Sequence, residues 1–352
     1  MTGKQRVLAA CRHEETDRVP LQVYLTPEIT RQLADYFAPR GTHEALGIDL
    51  RGVNAPYRGP TLPGPGLPGK ADRYDMWGAG YTVCRYESGE YSEASELPLA
   101  LIETLDEVEA YPWPEVDDYD FSGLRASAES LGEWAVCFGG AGIPDIVNGV
   151  SRGRGMERVL TDIMTADPVG VAVIDRRVDH YLEYCHRGLE AAGEAVDILC
   201  IGEDCGNQRG RLFPPRVFDE FFVPRLQPFI DLAHEYGALA MLHSCGDTSA
   251  ITSKSIEQGL DILDAMQPEP DGMDPPVIKR LYGDRLTFCG LVSTQYTLPH
   301  GSVADVRREV RERIEVMGAG GGYILSPAHC IQPDTPLENV LAIYEEALGV
   351  TL

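Results

Sequence analysis

The sequence predicts an α/β chain folded as a single (β/α)8 TIM-type barrel over residues 1–352, distorted near its beginning, with a β-hairpin insertion within residues 56–99. Past residue 100, short apolar runs alternate with longer helical patterns, which is the signature of successive βα units and a parallel sheet. The runs are rich in Val, Ile, Leu and aromatic residues and are bounded by Gly or Pro. At 352 residues and 43% hydrophobic, the chain can bury one large core of this kind.

The expected strands are residues 18–25, 134–139, 196–202, 238–243, 260–266, 286–292 and 322–325. That is one short of eight, and the segment around residues 46–55 is the candidate for the missing one. Helical patterns fill residues 26–37, 155–166, 168–192, 215–236, 248–258, 303–317 and 336–348. Residues 56–99 behave differently. A Pro/Gly-rich loop over 60–69 precedes an alternating run from Tyr81 to Tyr91, broken at Ser88-Gly89, which reads as a hairpin lying over one mouth of the barrel.

A formal charge of −25 and a pI near 4.6 argue against nucleic acid or an anionic membrane surface as partner, since both select basic patches. Small molecules and proteins are the expected partners. Nine cysteines without short regular spacing read as reduced thiols, and no export or anchoring signal is visible, so a cytoplasmic location is expected.

Chemistry concentrates at two strand ends, Leu242-His243-Ser244-Cys245-Gly246 and Ser326-Pro327-Ala328-His329-Cys330-Ile331. An imidazole and a thiolate one residue apart can point into one cavity, and a distant Cys or His can close the sphere, so together they point to a zinc site. His243 and Cys245 are the expected ligands, with Cys330 and His329 competing for a third place. After another strand, Glu203 and Asp204 are the candidate catalytic carboxylates, while Asn207 and Gln208 are candidate substrate-binding groups; use of this cluster as a helix cap is an equal alternative. Arg152, Arg154 and Arg158 read as a solvated helix face rather than a carboxylate-binding cluster. The run 318–322 is glycine-rich but precedes a strand and lacks Lys-Ser/Thr, so it reads as a turn and not a phosphate loop.

Several short motifs occur in one order: Arg12 to Pro20 (Arg-His-Glu-Glu-Thr-Asp-Arg-Val-Pro), Trp77-Gly78, Tyr111-Pro112-Trp113-Pro114, Gly202-Glu203-Asp204, His243-Ser244-Cys245-Gly246 and Gln332-Pro333-Asp334-Thr335-Pro336. In this order they resemble the uroporphyrinogen decarboxylase-like superfamily, specifically its zinc-dependent, corrinoid-linked methyltransferase branch. The resemblance implies zinc held by His243, Cys245 and Cys330, and activation of a thiol toward a methyl group carried by a separate corrinoid protein. Many relatives place the distant cysteine where this chain has His329, so the resemblance leaves His329 as the alternative third ligand. Asp264, Gln267 and Glu269 lie near the position of a further carboxylate without matching it, and the fourth ligand stays unassigned.

The arginine-rich motif that meets porphyrinogen carboxylates in true decarboxylases is replaced here by Val23-Tyr24-Leu25-Thr26-Pro27. No Asp-x-His-x-x-Gly corrinoid-binding motif occurs, so cobalamin is expected on a partner protein. The expected function is therefore methyl transfer between a corrinoid protein and a small thiol or methylated small molecule. Two alternatives stand beside it: a metal-independent decarboxylase or lyase using Asp204 and His329, and a catalytically silent ligand-binding barrel.

Overall fold

The computed structural model of the protein describes residues 1–86 and 89–352. Its strands are β1 (Leu50–Val53), β2 (Arg73–Tyr74), β3 (Gly80–Tyr86), β4 (Gly89–Glu96), β5 (Ala135–Pro144), β6 (Ile198–Gly202), β7 (Gly206–Asn207), β8 (Gly210–Arg211), β9 (Leu239–His243), β10 (Ile262–Met266), β11 (Thr287–Val292) and β12 (Tyr323–Pro327). Seven of them form a parallel sheet in the order β1-β5-β6-β9-β10-β11-β12, with helices in the crossovers.

The segment around residues 46–55 does supply a strand, β1, whereas residues 18–25 depart from expectation. They make only isolated parallel bridges, Leu21 to Leu325 and Leu25 to Ile331, alongside β12. Leu21 O also accepts from Asp49 N, just before β1, so the segment lies between the sheet's two ends without a continuous ladder. Pro20 contributes a carbonyl to Leu325 N but has no N–H to give, which interrupts strand pairing there.

One side chain from each sheet strand meets in a buried layer: Leu50, Ala135, Ile198, Met241, Ile262, Cys289 and Ile324. Val7, from the helix Gly3–Cys11, packs into the same cluster, and burying it is worth about 2 kcal/mol. Side chains alternate along a strand, so the residues two further on face the same way, one level higher. By that rule His243 follows Met241, and Asp264 follows Ile262. The apolar layer is thus the floor on which the polar site stands.

The small antiparallel sheet β2-β3-β4 lies within residues 56–99. Of the break expected at Ser88-Gly89, Ser88 lies outside the described residues and Gly89 begins β4. This region is tied to the chain beyond it by aromatic contacts. Tyr111 Oη donates to Trp77 O at 2.6 Å, and the Trp77 ring lies 5.0 Å from His180 on the helix Pro168–Ala192.

Of the three arginines expected on a solvated helix face, Arg152 is exposed as expected, while Arg154 and Arg158 turn inward. Arg154 is 1% exposed, pairs with Asp162 at 2.6 Å and donates to the carbonyls of Leu99 and Ile102. Arg158 donates to the carbonyls of Ala100 and Ile102. The 3-10 turn Pro98–Leu101 and the residue after it leave carbonyl lone pairs at Leu99, Ala100 and Ile102, and the guanidinium groups fill them.

His180 makes the aromatic junction pH-sensitive. Its Nδ1 lies 3.1 Å from Pro114 O and its Nε2 3.3 Å from Tyr119 Oη, so the neutral ring fits by donating at one nitrogen and accepting at the other. Burial pushes its pKa down to about 4, against the ordinary 6.5, with the Arg177 charge adding to the fall and the Pro114 carbonyl opposing it. The unfolded chain therefore binds the proton first. His180 contributes full stability above pH 6.5, and up to about 3 kcal/mol is lost as pH falls toward 4. Urea unfolding at several pH values should show a shallower loss over that interval in His180→Gln than in the wild type; identical slopes would remove His180 as the source.

Candidate metal centre

His243 ends β9 and Cys245 follows in the turn, while Asp204 lies two residues past the end of β6. Since β6 and β9 are neighbours, with Gly202 in register with His243, the three side chains converge. One donor atom from each of Asp204, His243 and Cys245 lies within 4.8 Å of the other two. Their approach requires bare backbone. A Cβ on Gly246 would lie 2.5 Å from Asn207 N, and one on Gly206 would lie 2.3 Å from Asp247 O, so the two turns cross backbone to backbone.

The donor set fits zinc. Cys245 Sγ and His243 Nε2 are 3.5 Å apart, and zinc–sulfur and zinc–nitrogen bonds of about 2.3 and 2.0 Å at a tetrahedral angle require a separation of about 3.5 Å. His243 Nδ1 lies 2.7 Å from Asp264 Oδ2, and Asp264 is 1% exposed. That hydrogen bond keeps the proton on Nδ1, so that Nε2 presents its lone pair beside the thiol. Burial disfavours a charged His243, but the Asp264 and Cys245 hydrogen bonds outweigh it and raise its pKa well above the usual value. Burial pushes the Cys245 thiol up, and His243 pulls it back. A cation between them would take over from the proton on both counts.

The second strand end also reaches this region. The His329 ring centroid is 6.4 Å from that of His243, and its pKa is lowered by burial and then by the His243 charge. The Cys330 thiol is raised by burial and lowered by His243. Among the described residues neither belongs to the close donor set, whose third member is Asp204.

The other candidates separate. Glu203 is 1% exposed and accepts from Ile146 N at 2.6 Å and Val147 N at 3.2 Å, which makes it a cap on the helix Ile146–Arg154 and leaves no oxygen turned to a substrate. That is the structural alternative the sequence left open. Asp204 accepts from Cys245 N and Asn148 Nδ2, both at 2.8 Å. Asn207 is exposed and its Oδ1 accepts from Arg209 N. Gln208 Nε2 donates to Gln267 Oε1, which also receives Gly246 N. Asn148 had no motif to mark it, and Gln267 stood out only as a neighbour of the unmatched carboxylate position. Asp264 is expected to matter through His243 alone: Asp264→Asn should weaken zinc binding 10- to 100-fold in a chelator competition, and unchanged affinity would contradict its role in orienting the ring.

A curled, parallel seven-stranded α/β sheet of the TIM type, with soft and carboxylate side chains gathered at its strand ends, defines the class. Residues 121–348 match the uroporphyrinogen decarboxylase (URO-D) family, and the chain belongs to that family. It is similar to the methylcobamide:CoM methyltransferase MtaA of Methanosarcina barkeri, 28% identical over 170 residues, covering 48% of this chain and 46% of that one. A uroporphyrinogen decarboxylase of Pseudoalteromonas translucida is 22% identical over 172 residues, covering 47% of this chain and 44% of its own. These alignments span about half the length of the curated relatives. A solved methyltransferase from Methanosarcina mazei shares the fold over 99% of both chains, with a TM-score of 0.66 and 21% identity. No helix among the described residues is long and apolar enough to cross a membrane.

Proposed function

We propose that the protein is a zinc-dependent methyltransferase that moves a methyl group between a corrinoid protein and a small thiol or methylated small molecule. The observation that carries this reading is the Asp204–His243–Cys245 donor set with Asp264 behind His243 Nδ1. The similarity to a methylcobamide:CoM methyltransferase supports the reaction class.

His243 Nε2 and Cys245 Sγ would hold the metal, with Asp204, His329 or Cys330 closing the protein's share of the sphere. Zinc held there supplies the positive charge that lets a bound thiol lose its proton at neutral pH. Asp264 keeps the His243 ring in the tautomer that presents Nε2. Asp204 lies beside the thiol's place, and one of its remaining lone pairs can take the departing proton. With a corrinoid protein docked, the methyl group would move as a methyl cation equivalent, the S–C bond forming as the Co–C bond breaks and leaves its electron pair on the corrinoid. Glu203 supports this from outside by fixing the start of the helix that reaches Asp204.

The third ligand can be named by elemental mass spectrometry on untagged protein. Wild type is expected to carry close to one zinc per chain, and whichever of Asp204→Ala, His329→Ala and Cys330→Ala removes the remaining protein donor is expected to lose most of it. A wild type that stays metal-free after zinc is supplied would overturn the reading and favour acid–base chemistry by Asp204 and His329.

A further inference from the structure

The helix Ile146–Arg154 begins against the turn that follows β6, and its first turn grips both carboxylates of that turn. Glu203 takes the amides of Ile146 and Val147, and the next residue of the helix, Asn148, donates from Nδ2 to Asp204 Oδ2 at 2.8 Å. Asp204 Oδ1 is held from the opposite side by Cys245 N at 2.8 Å. The carboxylate is thus pinned between the helix and the segment that carries the thiol. Among the described residues this is the hydrogen bond that the Asn148 side chain makes.

The start of the helix is itself braced. Asp145 adopts a left-handed conformation at φ 50°, and the buried Arg177 donates to the carbonyls of Pro144 and Gly142 just before it. A Cβ on Gly149 would lie 2.3 Å from the Arg177 guanidinium, so a side chain there would displace the brace. These contacts leave Asn148 little freedom, and its amide is a fixed donor aimed at a residue of the donor set.

We infer that Asn148 is a positioning residue of the metal centre: by holding Asp204 Oδ2 it keeps the carboxylate turned toward His243 Nε2 and Cys245 Sγ, and so sets how tightly the centre holds zinc. This rests on the zinc reading given above. A neutral amide suits the task because it restrains the carboxylate without cancelling its charge. Lysine or arginine there would repel the cation, and an apolar side chain would free Asp204 to rotate away about its side-chain torsions.

The test is the zinc dissociation constant, by competition with a chromophoric chelator, for wild type, Asn148→Ala, Asn148→Ser, Asp204→Ala and the Asn148→Ala/Asp204→Ala double variant, each first shown folded by its thermal transition. Truncating Asn148 should weaken binding about tenfold. It should add nothing once Asp204 is gone, because its effect passes through that carboxylate. The absorption spectrum of the cobalt(II)-loaded Asn148→Ala protein should move toward that of Asp204→Ala, a change in coordination that a loss of general stability does not produce. Tight wild-type binding with unchanged affinity in both Asn148 variants overturns the inference alone, as does an undiminished Asn148 effect in the Asp204→Ala background. A wild type that takes up no zinc overturns the metal reading and this inference together.

Discussion

Cys245→Ala is expected to purify as a folded protein with almost no zinc. The thiolate is the one soft anionic donor in the close set, and removing it leaves an imidazole and a carboxylate that already accepts two hydrogen bonds. Two such donors hold zinc far more weakly than three, and zinc favours sulfur and nitrogen over oxygen alone. The fold should survive, because Cys245 lies in the turn beyond β9 and its main-chain N–H keeps its bond to Asp204 whatever the side chain. Elemental analysis beside a thermal unfolding curve checks both halves. Zinc retained at the wild-type level would show that the thiol is not a ligand.

Arg154→Met should lower the unfolding free energy by about 3–5 kcal/mol, because it leaves the Asp162 carboxylate buried without its partner. The substitution also removes the donors to Leu99 O and Ile102 O, which join the 3-10 turn to the helix Ile146–Arg154. Met matches the stem but offers no N–H. Replacing both members, Arg154→Met with Asp162→Leu, should recover much of the loss, since two apolar groups need no desolvation of charge. Urea denaturation measures both. A single variant within about 0.5 kcal/mol of wild type, the range of ordinary surface changes, would show that the pair is not a structural tie.

Parts of the molecule were legible in sequence because local pattern and physical role coincide. The apolar runs ending at Gly202 and His243 are buried strands, and the soft or acidic residues just beyond them sit at the strand ends where a parallel barrel exposes chemistry. The segment 18–25 misled because Leu21 and Val23 are indeed buried, while Pro20 prevents the regular ladder that composition suggests. Arg154 misled in the opposite sense. Charge on a helix usually means solvent, and nothing in the spacing records the carbonyls of Leu99 and Ile102 that draw it inward. Asn148 was invisible for a related reason. Its helix, with glycines at 149 and 153, has poor intrinsic propensity, and its partner lies 56 positions away along the chain.

Under the proposed function, methyl transfer depends on a metal held by His243 and Cys245. The most direct measurement follows the loss of methyl from methylcobalamin, spectrophotometrically, in the presence of a panel of small thiols, comparing zinc-loaded protein with the same protein stripped by a chelator and then restored. Transfer to at least one thiol is expected, disappearing on stripping, returning with zinc and absent in His243→Ala. Equal transfer by the stripped and loaded forms would contradict that dependence.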